Sequence, residues 1–540
     1  MYEYEKPLES QEVEESSEEV KVRERFDITK RDKIFLVLII ISSIALSIFG
    51  ICKGFNFGYT ISINALMASV GFYFAKGAKK PTAFCISSIL LSLTTSLVFS
   101  ITSNLSVRFF SVIALFVLTL SFLTLLLHGR FADGDLGIIR TIFALLFKQS
   151  VPKLPKTVYS VFASSPDKKN NFGRILIGVL CSVPVLLIVL PLLVSSDEAF
   201  SGLISKFSDN VFSIIMKCIL GFIIALLVIN YCFALKKQDL RTFEPITIKG
   251  IDNVITTSFL SVLAVCYLAY MFSQLAYFFS AFSGFLPENY EFTMAEYARR
   301  GFFELCVIAG INFAIIFLTI LLSRKENNKM SLTLRLICTF ISVFTLLITA
   351  TAIAKMVMYI GEFGMTELRI STSAFMIFLF IVFIALILRI YFTKVKVIKT
   401  AFITAGVILS LLGIFNINSI IAEYNYRGYK EGFINRTIDV EEIANLGDEG
   451  IPYLVMLTED ENASVAEKAE EELLYILKWE EYYELNSKLV GNSPRYTLGD
   501  KKVTNPAEMT LAKKNAYAAL DQYIEENPNI AQKAGKLYRY

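Results

Sequence analysis

Between residues 34 and 420 one pattern recurs: an apolar run of about 20 residues, then a short polar break. A helix rises about 1.5 Å per residue, so a run of this length crosses the ~30 Å hydrocarbon core of a bilayer. Lipid offers no hydrogen-bond partners, and each run must therefore satisfy its own backbone as a helix. The runs fall at about 34–52, 58–75, 82–102, 107–127, 173–194, 213–235, 251–282, 298–322, 332–359, 370–392 and 398–420. With 54% hydrophobic and only 19% charged residues in 540, the chain has the composition such spans need. The expected fold class is all-α, a polytopic membrane protein of about eleven transmembrane helices.

Lysine and arginine orient the spans. Lys76, Lys79 and Lys80, then the stretch Arg130 to Lys169, occupy alternate connections. Lys236, Lys237, Arg241 and Lys249 follow, then Arg324, Lys325 and Lys329, and finally Lys394, Lys396 and Lys399. The intervening connections are short or acidic. The basic side is cytoplasmic by the positive-inside rule, which puts the N-terminus inside and, after eleven crossings, the C-terminus outside. Residues 1–30, acidic and then basic, read as a disordered cytoplasmic tail whose basic part lies at the lipid surface. Residues 31–422 form the transmembrane domain. Its longest cytoplasmic loop, 128–172, holds a stretch too short to span, Gly137–Lys148, that reads as an interfacial helix, followed by a proline-containing linker. Residues 423–540 read as a small, soluble, helical extracytoplasmic domain, with helices expected near 440–446, 451–457, 465–478 and 511–524.

Chemistry in such a chain is sought where charge sits next to lipid. Glu296, Arg300 and Glu304 at the start of the eighth span are spaced by four and share one helix face, while Arg299 points about 100° away. A carboxylate two turns into lipid costs several kcal/mol, so Glu304 is expected to face protein or water. Lys355 in the ninth span is a second intramembrane charge, and its pairing with Glu304 is one expectation. With Asp197, Glu198, Glu362 and Arg369 these residues define a candidate outer-face polar network. Read plainly, they are local ion pairs, a helix cap and snorkelling arginines. Read functionally, they line a polar cavity open to the outside. Asn230, Gln274 and Asn312 within spans are expected to hydrogen-bond between helices.

Several classes of chemistry find no support. His128 is the only histidine, and the eight cysteines show no CxxC spacing, so no metal or disulfide set is expected. Phosphate-binding GxxxxGK[ST], dinucleotide GxGxxG and nucleophile-elbow GxSxG patterns are missing, and no cofactor or nucleic-acid partner is expected. Four stretches, SSDEAF (Ser195–Phe200), EYARRGFFEL (Glu296–Leu305), GMTELR (Gly364–Arg369) and the run Asn418–Leu454 with IAEYN and IDVEEIANLGDEGIPYL, together resemble a bacterial polytopic membrane family known as domain of unknown function 4173. That resemblance implies a multi-spanning envelope protein and brings no activity with it. The leading expectation is a non-catalytic bacterial plasma-membrane protein. Its outer polar network would bind an envelope component or partner protein, in transport, sensing or assembly. The alternative is an integral-membrane transferase acting on a lipid-linked substrate, with Asp197, Glu198 or Glu304 as acid/base and Arg299 and Arg300 as phosphate clamp.

Overall fold

A computed structural model describes residues 30–132, 134, 136–155, 189, 192–193, 196, 198–237, 250–273, 302–324, 330–434, 437–490 and 509–527. The described chain is helical and, apart from one isolated bridge between Ile251 and Ser323, has no β-structure. Ten of its helices are long and apolar enough to cross a membrane, and the protein is an all-α polytopic membrane protein. The expected tail 1–30, the span 173–194, the linker beyond residue 155 and Gln274 lie largely or wholly outside the described residues.

Two bundles share the membrane region. The first packs α1 (Lys30–Ala45), α2 (Phe57–Phe74), α3 (Ala83–Ile101) and α4 (Leu105–His128) with α6 (Glu198–Lys237) around Phe35, Ile39, Phe99, Leu115 and Ile229. A short helix, α5 (Gly137–Phe143), continues through a π-helical stretch, Ala144–Ser150, that packs on α6. The second bundle comprises α7 (Asn253–Ser273), α8 (Phe302–Leu322), α9 (Leu332–Phe363) and α10 (Glu367–Tyr391), centred on Leu334, Ile341, Ile348 and Phe383. The last span, α11 (Val397–Ile414), joins them by packing on α3 and α4 as well as α10. Gly413 makes this approach possible: a Cβ there would stand 2.4 Å from both methyl carbons of Val98. One turn earlier Ser410 meets Thr94 and Thr95, each at 3.0 Å.

Outward-facing positions are as apolar as inward ones, as lipid contact requires; Ile34, Leu90, Val254 and Leu336 are all exposed. Several polar groups inside the spans hydrogen-bond from one helix to another. Buried Asn312 accepts from the Tyr267 hydroxyl at 2.6 Å and donates to Thr345 at 2.9 Å, and Asn230 donates to the Ser150 carbonyl at 2.6 Å. The interhelical role read for these two asparagines is therefore met.

The eleventh apolar run ends earlier than its hydropathy suggests. α11 stops at Ile414, Asn416 adopts a left-handed φ of 47°, and a separate helix, α12 (Ile417–Lys430), leaves along the end of the bundle. Asparagine tolerates this conformation better than most side chains, which lets the chain turn here. α12 shares a hydrophobic core with α13 (Val440–Asn445), α14 (Ile451–Leu457), α15 (Ala463–Val490) and α16 (Leu511–Glu526), through Ile421, Ile443, Leu454, Leu473 and Leu520. Asp439 caps α13 and Thr510 caps α16, each accepting from a backbone amide three residues on.

Candidate functional site

The C-terminal helices sit on one end of the membrane bundle, and the contact is polar and buried. Glu449, only 3% exposed, accepts the Thr102 hydroxyl at 2.8 Å and the Ser103 amide at 2.7 Å through Oε1, and the Ser103 hydroxyl through Oε2. Thr102–Asn104 is the tight connection between α3 and α4. Burial raises the Glu449 carboxyl above the usual range; the Ser103 and Thr102 hydrogen bonds pull it down, and Asp448 adds to the rise. Beside it, Asn104 donates to Glu367 at 2.9 Å and Asn418 at 2.7 Å, and Asn418 donates to Glu367 at 2.6 Å. Phe57 at the start of α2 also donates its amide to the Met509 carbonyl. Three interhelical connections thus hold one layer of C-terminal helices.

The GMTELR stretch shapes the neighbouring surface. α9 ends at Gly364, whose φ of 77° and extended ψ belong to a region open essentially to glycine alone. A Cβ there would lie 2.5 Å from Asn425 Oδ1. Asn425 of α12 clamps the next residue from both sides, accepting the Met365 amide and donating to its carbonyl, each at 2.8 Å. Thr366 caps α10. Arg369 donates to the carbonyls of Phe363 and Gly364 and stacks over the Tyr359 ring at 4.4 Å, closing the C-terminus of α9.

Between this loop, α12 and α15 opens a cleft of about 910 Å³. Asp439, Glu441, Glu442, Glu471 and Glu472 line it against two cations, Arg369 and Lys468. Burial raises the Glu442 carboxyl; Asp439, Glu367 and Glu441 push the same way, while Arg369 opposes. Burial also raises Glu472, helped by Glu441 and Glu471. A cleft whose carboxylates are already crowded gains from any cation that enters it.

Of the network expected from sequence, Arg369 lines this cleft. Glu362 lies half-buried in the last turn of α9, one turn before the loop, and Lys355 is buried two turns further back. Glu304 stands exposed in the first turn of α8. Glu198 opens α6, and Asp197, Glu296, Arg299 and Arg300 lie outside the described residues. The residues missed were Asn104, Glu367, Asn418 and Glu449, with the acidic wall of the cleft. All but Asn104, Glu471 and Glu472 fall within the GMTELR and Asn418–Leu454 stretches that carried the family resemblance.

A family model described as Domain of unknown function (DUF4153) matches residues 85–457. It is this family, and not the similarly numbered one that the motifs resemble, whose model is matched; an unknown-function domain family is what is shown. The match runs from the start of α3 to the end of α14, so it includes the junction at Glu449 and most of the cleft. No curated protein and no solved structure matches the chain.

Proposed function

From the premise that the chain belongs to the DUF4153 family of unknown function, we propose that it is a non-catalytic plasma-membrane protein whose outer cleft binds a cationic group of an envelope component or partner. The observation that carries this reading is the cleft itself: five carboxylates and two cations, contributed jointly by a transmembrane loop and the C-terminal helices. Binding there would couple the two layers, since the ligand touches both.

The orientation is part of the same proposal. Lys236 of α6 meets Asp32 of α1 at 3.3 Å, the Lys79 amide donates to Leu126 O, and His128 lies 3.0 Å from Leu235 O, all at the end opposite the cleft. At the cleft end, Ser47, in the π-helical turn that follows α1, donates to the Lys217 carbonyl of α6. The basic connections therefore gather at one end and the C-terminal helices at the other. The positive-inside rule makes the basic end cytoplasmic and the cleft extracytoplasmic.

The test uses the full chain in neutral detergent. Calorimetric titration with tetralysine should give salt-sensitive binding, tetra-alanine none, and Glu441→Gln with Glu472→Gln should weaken the tetralysine response at least several-fold. If tetralysine fails to bind, or binds the double variant as it binds the native chain, this reading is wrong.

A further inference from the structure

At the basic end, a second cavity of about 420 Å³ opens where three spans begin or end. Thr82 caps the start of α3, Gly129 terminates α4 with a φ of 72°, and Lys396 precedes α11. Since all three positions are helix boundaries, the cavity lies at headgroup depth and not among acyl chains. Its walls combine an apolar floor, Phe84 and Phe131 packed edge to face at 6.0 Å, with Arg130, Lys396 and Lys399. The described lining residues include no carboxylate; Asp133 and Asp135 of the adjoining loop lie outside the described residues.

Lys399 is the informative residue. Its ammonium lies 5.3 Å from the centroid of the Phe84 ring and 5.8 Å from that of Phe131. Ring faces attract a cation but accept no full hydrogen bond, so the donors turned away from them remain available. Among the described residues Lys399 makes no hydrogen bond or ion pair. Lys396 lies one turn away in the same cavity, so two like charges share a half-buried space and an anion between them would lower their repulsion. The amides opening α3 and α11 add positive potential.

We propose that this cavity binds a phosphate-bearing anion at the cytoplasmic membrane surface, held by Lys396, Lys399 and Arg130 over the Phe84–Phe131 floor. The phosphate belongs either to an anionic phospholipid headgroup or to free phosphate. Basic pockets between spans on the cytoplasmic side suit headgroups, each cation near the surface contributing about five-fold in affinity. The site is independent of the outer cleft and stands or falls separately.

The test compares thermal unfolding of the full chain in neutral detergent with dioctanoyl phosphatidylglycerol, dioctanoyl phosphatidylcholine or inorganic phosphate. Phosphatidylglycerol should raise the midpoint in a saturable way while phosphatidylcholine does not. Lys396→Gln and Lys399→Gln should each weaken that response about five-fold, and Lys394→Gln, outside the cavity, should not. Should inorganic phosphate alone act, with the same dependence on the two lysines, the bound species is the free anion and the site is still a phosphate site. Should Lys399→Gln fail to fold, Lys399→Arg ought to retain the response and exposed Arg130→Gln ought to weaken it. Equal responses to both lipids with no response to phosphate, or variants that respond like the native chain, would overturn the proposal.

Discussion

The two ends of the bundle solve the same problem with opposite charge. At the basic end, cations rest on aromatic rings and reach outward; at the cleft end, carboxylates are buried and satisfied by hydroxyls and amides. Asp32 shows the contrast within one residue. Its carboxylate is buried at the basic end, yet its partner Lys236 is half exposed and keeps its water. Among the described residues Glu449 has no cation on it, and it accepts from neutral donors of the α3–α4 connection. The difference teaches where each end is fragile: losing Asp32 at the basic end returns the Lys236 charge to solvent, whereas losing Glu449 at the cleft end strands buried donors.

That contrast can be broken by substitution. Glu449→Ala removes the acceptor of three donors at once and should cost on the order of 3 kcal/mol. The expected outcome is a lower unfolding midpoint in detergent, with protease cleavage released in the C-terminal helices. Glu449→Gln, which can still accept through its oxygen, should lose much less. Next in size, Gly364→Ala forces a Cβ into a glycine-only conformation and against Asn425, at about 1–3 kcal/mol. It should weaken tetralysine binding along with stability, because the loop it distorts forms one cleft wall. Asp32→Asn should cost about 1 kcal/mol, because Lys236 stays hydrated and the amide oxygen can still accept from the Tyr73 hydroxyl. If Asp32→Asn proved more damaging than Glu449→Ala in the same assay, the comparison would be reversed.

The smallest effect is that of pH. Glu442, Glu449 and Glu472 have folded pKa values raised above their unfolded ones, so the folded state binds the extra protons and stability rises as pH falls from neutral through that raised range. Asp460 runs the other way. Burial raises its carboxyl, but Lys430 at 2.7 Å, the Asn462 amide and Tyr429 outweigh this and hold it below the ordinary range. Its contribution is present at neutral pH and is lost only in stronger acid, as pH falls through the lowered value. Unfolding midpoints should therefore rise modestly on mild acidification and then fall. Glu442→Gln with Glu472→Gln should flatten the rise, and Asp460→Asn the late fall.

The spans were legible because hydropathy is local: about twenty neighbouring residues decide whether a segment can face lipid, whatever lies elsewhere. The charge sign of each end was legible for the same reason, as was the helical character of 440–446, 451–457, 465–478 and 511–524. What the sequence could not supply was company. Asn104 and Glu367 are 263 positions apart, and Thr102 and Glu449 are 347 apart. Each taken alone reads as an ordinary polar residue at a helix end. The charges that stand out by sequence, such as Glu304 and Lys355, are conspicuous because they lie in apolar runs, a different property from being near one another. Only the tertiary structure, by turning the chain at Asn416 and folding α12 to α16 back over three interhelical connections, decided that the GMTELR loop and the DVEE stretch of α13 form two walls of one cleft. A φ of 47° at one asparagine and a glycine-only conformation at Gly364 leave no trace in hydropathy, yet they place the site.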